Sequence, residues 1–366
     1  MIVKKNITKI FFLFLFVHLI LWTFIPAISN INLPLDTIEA LAWGSNLDWG
    51  YSKHPPFSAF SVEFIYFIFG SQDWAFYFLS QIFVLLGFIF VWKLANEIFD
   101  NKIHSLISLL VLEGIYFYNF TTPEFNVNVC QIPFWALTAY FFWKGINKNI
   151  KFDWILFGVF SALGFLSKYL FVYILISFFI FLMLNLKKDK KLLKNYFFSV
   201  IISLLILTPH FVWLYNNNFE TILYGLERSS LIEKELINHI INPLTFILKQ
   251  FLILIPFFLM ILVLLKKINF RFNLKNKKIL FLFSISILPV ILILITSFLT
   301  GAKIRTMWMT PFYLFFGSLI VYLFQVQINL KKLKPFMIGF AFFFILSPVL
   351  YAYISISNDD KRTDYM

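Results

Sequence analysis

Apolar runs of about 18 residues or more recur along the chain, and they constrain its fold more than any motif does. Each is long enough to cross a hydrocarbon core of about 30 Å. Lipid offers the backbone no hydrogen-bond partner, so a spanning segment must be a helix or part of a closed barrel. A barrel shows alternating segments of about ten residues, whereas these runs are continuously apolar. The expectation is an all-α polytopic membrane protein with about eleven transmembrane helices. They are placed at 10–28, 73–92, 104–120, 125–143, 154–167, 169–186, 196–214, 244–265, 279–299, 309–327 and 336–353. The first run exceeds the roughly 7–15-residue core of a signal peptide and reads as a retained helix. Residues 1–366 then form a single integral membrane domain, with a first outer loop at about 29–71 and no separate soluble domain.

The charges fit this arrangement. The formal net charge is +13, with 13% charged residues against 60% hydrophobic ones. Most Lys and Arg fall in short runs between apolar spans, such as Lys4, Lys5 and Lys9, or Lys187 to Lys194, or Lys266 to Lys278. Topology explains such runs better than ligand binding does, so no nucleic-acid partner is expected and membrane lipids are. With the N-terminus inside, the basic runs lie on the cytoplasmic side of a multi-pass inner-membrane protein. The first loop, 121–124, 215–242 and 301–308 then lie on the outer face. Cys130 is the single cysteine, which excludes an internal disulfide and a cysteine metal cluster. There is no Walker A sequence, dinucleotide fingerprint or visible internal repeat.

Against this apolar background the first loop stands out. Asp36, Glu39, Asp48, Lys53 and His54 fall close together, among Trp43, Trp49, Tyr51, Pro55 and Pro56. A short interfacial helix over 36–46 places Asp36, Glu39 and Trp43 on one face, at i, i+3 and i+7. Two carboxylates so placed suit a general base with an orienting partner, and Asp36 also suits the positive end of the helix dipole. Pro55 and Pro56 followed by Phe57, Phe60 and Phe64 predict a second amphipathic helix. Its free N–H groups, with Lys53 and a charged His54 beside them, form a candidate anion site.

Four further places carry ionisable groups. Glu124 follows Thr121, Thr122 and Pro123, with Asn126 and Asn128 just beyond. Lys168 and Tyr169 sit between two apolar runs, where a Lys is costly unless it faces a polar cavity or an anion. His210 lies near an outer membrane end, where a lone His is more often structural. Lys303, Arg305 and Trp308 form a basic outer loop that runs against the topology bias and suggests an anionic ligand. The segment from Arg228 to Glu235 reads as a solvated interfacial helix, and Glu113 inside the third span has no account from sequence.

These residues resemble a known family, glycosyltransferase family 39. Its members have the GT-C fold and include bacterial relatives of protein O-mannosyltransferases and lipid A aminoarabinose transferases. The similarity lies in Asp36, Glu39, Trp43 and the run Gly50, Tyr51, Lys53, His54, Pro55, Pro56, with weaker matches at Thr122-Pro123-Glu124, Ser167-Lys168-Tyr169 and Trp308. The resemblance implies a GT-C-like bundle and transfer of a sugar from a polyprenyl-phosphate donor to a lipid, glycan or protein acceptor. It places a catalytic role on Asp36 with Glu39. Donor-phosphate binding falls on Lys53, His54, Lys168 and Arg305. Substrate contacts fall on Trp43, Tyr51, Glu124, Asn126, Tyr169, His210, Lys303 and Trp308. Paired acids beside a phosphate also leave a divalent cation open, though no octahedral ligand set is legible. The other reading of the composition is a lipid or solute transporter; transporter sites, however, lie near the midplane between symmetric repeats.

Overall fold

The structure is a computed structural model that describes residues 2–185, 190–229, 235–268 and 272–357. Side chains are described from Asn6 onward. Lys187, Lys188 and Arg271 of the basic runs, residues 230–234 of the expected interfacial helix and the tail from 358 lie outside the described residues.

The described residues are mostly helical, with one isolated β-bridge between Leu265 and Ile328. α1 (Ile2–Ser29) crosses the bundle, and α2 (Leu35–Gly44) and α3 (Phe57–Phe69) form the first loop. Next come α4 (Asp73–Ile98), α5 (Lys102–Leu110), the single turn α6 (Val127–Cys130), α7 (Ile132–Lys148) and α8 (Lys151–Ser167). α9 (Val172–Asn185), α10 (Lys190–Asn216) and α11 (Glu220–Arg228) follow. The last third holds α12 (Asn238–Leu264), α13 (Lys277–Ser286), α14 (Leu288–Thr300), α15 (Phe316–Phe324) and α16 (Leu333–Ser357).

Local chemistry sets several of these limits. Pro34 and Pro56 precede α2 and α3, where a missing N–H is no loss. Asn101 and Asn276 cap α5 and α13 by accepting backbone N–H bonds through their side chains. Gly301, at φ 71°, ends α14 in the left-handed region that a side chain disfavours.

The helices pack in a chain of neighbours from α16 through α1, α4, α7 and α8 to α10. α4 lies at the centre and α16 at the edge, with 61% and 11% of their apolar windows buried. Small residues allow the closest approaches. A Cβ on Gly158 of α8 would stand 2.5 Å from the Ser199 carbonyl oxygen of α10, and one on Gly317 of α15 would collide with the Ser108 carbonyl of α5.

Among the described residues, five helices are long and apolar enough to cross a membrane, and the pair α13–α14, bent by 42°, makes a sixth. The other expected spans are present as shorter or broken helical segments. The one at 104–120 stops at Leu110 and continues as 3-10 turns at Val111–Gly114 and Tyr116–Tyr118. The one at 125–143 is split into α6 and α7, and Pro133 begins the longer part. The one at 309–327 is α-helical only over α15, after the turn Thr306–Met309 and Pro311. Apolar composition reports burial, and lipid and protein interior bury a side chain equally well. Irregular backbone survives at such depth when other helices cover it, as the 3-10 residues Val111, Leu112 and Gly114 are covered here.

Candidate active site

The ionisable first loop folds onto one end of the bundle. Thr37, Ala40 and Gly44 form the buried stripe of α2, and the Thr37 hydroxyl donates to the Phe125 carbonyl (3.2 Å). Asp36, Glu39 and Trp43 occupy the adjoining face and line a narrow cleft with His54, Ser58, Asn126 and Val127. The turn between α2 and α3 is held from outside. The Tyr51 ring stacks on Trp43, with centroids 5.5 Å apart. The Trp213 indole donates to Asp48 (2.8 Å), and the Thr221 hydroxyl donates to the Tyr51 carbonyl (2.6 Å). A Cβ at Gly50 would strike the Trp213 ring, so this close seat requires glycine.

Glu124 comes from the loop after α5. The Asp36 backbone N–H donates to its carboxylate at 3.4 Å, which sets Glu124 at the positive end of α2. Asn126 reaches the same carboxylate through its amide (3.5 Å) and caps α6 with its carbonyl oxygen. Three acids, Asp36, Glu39 and Glu124, therefore gather around the first turns of α2. Among the described residues no group of three or more His, Cys, Asp or Glu side chains is arranged to hold a metal ion.

The basic side differs from the sequence expectation in two respects. Lys53 is not a free cation beside the start of α3. Its ammonium lies 2.5 Å from Glu39, which raises its pKa through that hydrogen bond. Both side chains are about a third exposed, and such pairs are worth about 0–1 kcal/mol, so an anionic ligand can exchange for Glu39 easily. His54 is not protonated. Burial, reinforced by the charges of Lys168, Lys53 and Arg228, pushes its pKa down to about 3. Its ring also meets Trp43 edge-on at 5.9 Å and Tyr224 at 6.2 Å. At neutral pH it is a neutral hydrogen-bonding group among cations.

Lys168 sits in the break between α8 and α9. It is buried, donates to the Asn128 side-chain carbonyl, and lies 5.2 Å from the Trp308 ring centroid. Burial pulls its pKa down to about 7, and the charge of Asp36 opposes that shift. Arg305 is partly buried; burial and then the charge of Arg228 lower its pKa, and Tyr224 opposes. A guanidinium stays charged regardless. Arg228 and Tyr224, near the end of α11, thus belong to the electrostatic neighbourhood of His54 and Arg305. Sequence reading left Arg228 in a solvated helix and did not single out Tyr224. The available signal was their spacing of four, which puts both on one face of α11.

Other candidates sit at the margin. His210 is buried with both ring nitrogens engaged, Nδ1 at 2.5 Å from the Trp49 carbonyl and Nε2 at 2.9 Å from the Tyr169 hydroxyl. It ties α10 to the first loop and to Tyr169. Lys303 is exposed, and its backbone N–H donates to Ser229 (2.9 Å), fastening the 301–308 loop to the end of α11.

Glu113 gains an account. It is 3% exposed, with a carboxylate oxygen 3.2 Å from His18 Nδ1 of α1, in a contact not aligned for a hydrogen bond. The Asn119 amide donates to both its backbone carbonyl (2.9 Å) and its carboxylate (3.2 Å). Thr122 donates to the Asn119 carbonyl (2.7 Å) and accepts from Gln81 (3.1 Å). This network holds the broken segment after α5, from which Asn126 enters the cleft and Glu124 reaches the start of α2.

Comparison with known proteins agrees with the resemblance from Lys53 onward and does not reach the acidic half of the first-loop motif. Residues 53–213 match the family model for dolichyl-phosphate-mannose-protein mannosyltransferase. The match opens at Lys53 and closes at Trp213, so it covers the basic half of the first loop and leaves α2 outside. No curated protein sequence matches the chain. The fold is similar to that of ArnT from Cupriavidus metallidurans, determined bound to undecaprenyl phosphate. The TM-score is 0.67 over 97% of this chain and 68% of that one, at 14% identity. The chain is thus an all-α polytopic membrane protein of the GT-C fold, and it resembles the GT-C mannosyltransferase family.

Proposed function

We propose that this chain is a membrane glycosyltransferase that moves a sugar from a polyprenyl-phosphate donor to a lipid, glycan or protein acceptor. One observation carries the reading. Asp36 and Glu39 line a cleft with His54, Glu124 meets the start of α2, and the charges of Lys168, Lys53 and Arg228 act on the His54 ring, with Arg305 in turn near Arg228. ArnT, a solved structure of similar fold, was determined bound to undecaprenyl phosphate, and that supports the choice of donor.

In this mechanism Asp36 takes the proton of the acceptor hydroxyl, and Glu39 and Glu124 orient the acceptor. The acceptor oxygen forms its bond to the anomeric carbon from the face opposite the phosphate. The bond from that carbon to the phosphate oxygen breaks, and its electron pair leaves with the phosphate. Inversion follows from this geometry. Negative charge grows on the departing phosphate, where preorganised cations act most strongly; one such donor contributes about 10²–10³ in rate. Lys53 exchanges Glu39 for the phosphate, and neutral His54 donates a hydrogen bond. Trp43 and Tyr51 offer a stacking surface for the sugar. The basic bias of the opposite loops supports an active face outside the cytoplasmic membrane.

The test is transfer from labelled polyprenyl-phosphate sugars to membrane-lipid acceptors by the purified protein. Wild-type transfer that falls about 10²-fold or more in Lys53→Ala, at unchanged folding, is expected. Movement of substrate across vesicles without covalent transfer would favour the transporter.

Lys168 adds a pH signature. Its ammonium is the form that binds an anion, and in the donor-free protein it is lost as pH rises through about 7. A phosphodiester donor carries one charge that does not titrate there. Donor affinity therefore weakens from about pH 6 to about pH 9, and Lys168→Met flattens that slope. His54, already neutral, contributes no step in this range. A wild-type affinity flat across the range would remove Lys168 from the phosphate site.

A further inference from the structure

α12 starts at Asn238, where the Asn242 amide bonds the Gly301 carbonyl (2.7 Å) near the candidate site. It ends at Leu264, at the far end of the bundle. There the chain turns under the connection between α15 and α16. Leu265 bridges to Ile328, the Lys266 N–H donates to the Gln327 carbonyl (3.1 Å), and the Asn329 N–H donates to the Leu264 carbonyl (2.9 Å). These bonds frame a cavity of about 360 Å³ lined by Lys266, Lys267, Asn276, Tyr322 and Gln325.

The lysines around this end are not equivalent. Lys278 donates to the Ile98 carbonyl (2.6 Å) and approaches Asp100 (3.7 Å). Lys332 donates to the Leu265 carbonyl (2.7 Å), and Lys277 to the Asn147 side chain (2.7 Å). Lys266 and Lys267, by contrast, are adjacent like charges on one cavity, and no carboxylate among the described residues forms an ion pair with either. An anion between them removes their mutual repulsion. The Asn276 carbonyl oxygen is committed to capping α13, so its amide hydrogens are the group it can offer a ligand.

The rim is apolar. Val326 on the cavity lining is 89% exposed, Ile279 and Leu323 line it too, and Leu262 and Val263 are exposed on the last turn of α12 just before Leu265. A free phosphate has no use for that rim, whereas acyl chains do. We propose that this cavity binds the headgroup of an anionic phospholipid, with its phosphate between Lys266 and Lys267 and its chains along α12. Basic pockets between spanning helices hold lipid headgroups by this combination of charge and shape. The site is independent of the transfer reaction.

The test uses the full chain in nanodiscs, with bound lipid measured by native mass spectrometry. Phosphatidylglycerol is expected to be retained over phosphatidylcholine. The double variant Lys266→Gln/Lys267→Gln should lose about 30-fold of that preference, and Lys266→Arg/Lys267→Arg should keep it. Lys331→Gln/Lys334→Gln, exposed at the same end but outside the cavity, should leave it unchanged. An equal loss in both Gln pairs would reduce the effect to general surface charge and overturn the site. Displacement of phosphatidylglycerol by low millimolar inorganic phosphate would overturn the lipid assignment.

Discussion

Asp36→Asn is expected to lower sugar transfer by about 10²–10⁴-fold, the range a positioned general base contributes. The amide is nearly isosteric and stays at the first turn of α2, so donor binding and the melting transition should change little. The effect belongs in the turnover rate and not in donor affinity, because the donor phosphate is assigned to Lys53, Lys168, Arg228 and Arg305. Glu39→Gln separates the two acids. It frees Lys53 from its pair, so tighter donor binding with a modest rate loss is the outcome that fits an orienting role. Transfer unaffected by Asp36→Asn would sink its assignment as base.

The second large effect is on stability. Glu113→Ala removes one member of a buried polar pair and leaves His18 facing an apolar space. The Asn119 amide also loses its carboxylate acceptor while keeping the backbone one. Leaving a buried polar group without its partner costs about 1–3 kcal/mol, and the lost side-chain volume adds to it. Glu113→Gln keeps an acceptor for Asn119 and should lose clearly less. Thermal unfolding of the purified protein in detergent reads both variants. A change below about 1 kcal/mol for Glu113→Ala would show that the network does not hold the broken segment after α5.

Much of the first loop was legible from residues close in sequence. Pro34 and Pro56 mark the starts of α2 and α3, and helical spacing puts Asp36, Glu39 and Trp43 on one face. Proline chemistry and helical periodicity are local properties, so neighbours along the chain suffice to read them. The electrostatic state of the site was not legible. His54 reads as a cation beside the start of α3, yet burial keeps it neutral, with the charges of Lys168, Lys53 and Arg228 adding to that. Lys53 reads as an unpaired cation, yet Glu39 of α2 stands at hydrogen-bonding distance from its ammonium. Arg228 reads as solvated because nothing within α11 points to Arg305.

The sequence by itself determined that the chain is an all-α membrane protein and that ionisable residues cluster in the first loop. Continuous apolar runs leave the backbone no alternative to helices in lipid. The tertiary structure alone decided which runs are spans and which are broken segments sealed inside the bundle, because lipid and protein interior favour the same side chains. It alone also brought the acids of α2 and Glu124 against cations from three distant segments. Charge state depends on burial and on neighbours in space, and neither is carried by the order of residues along the chain.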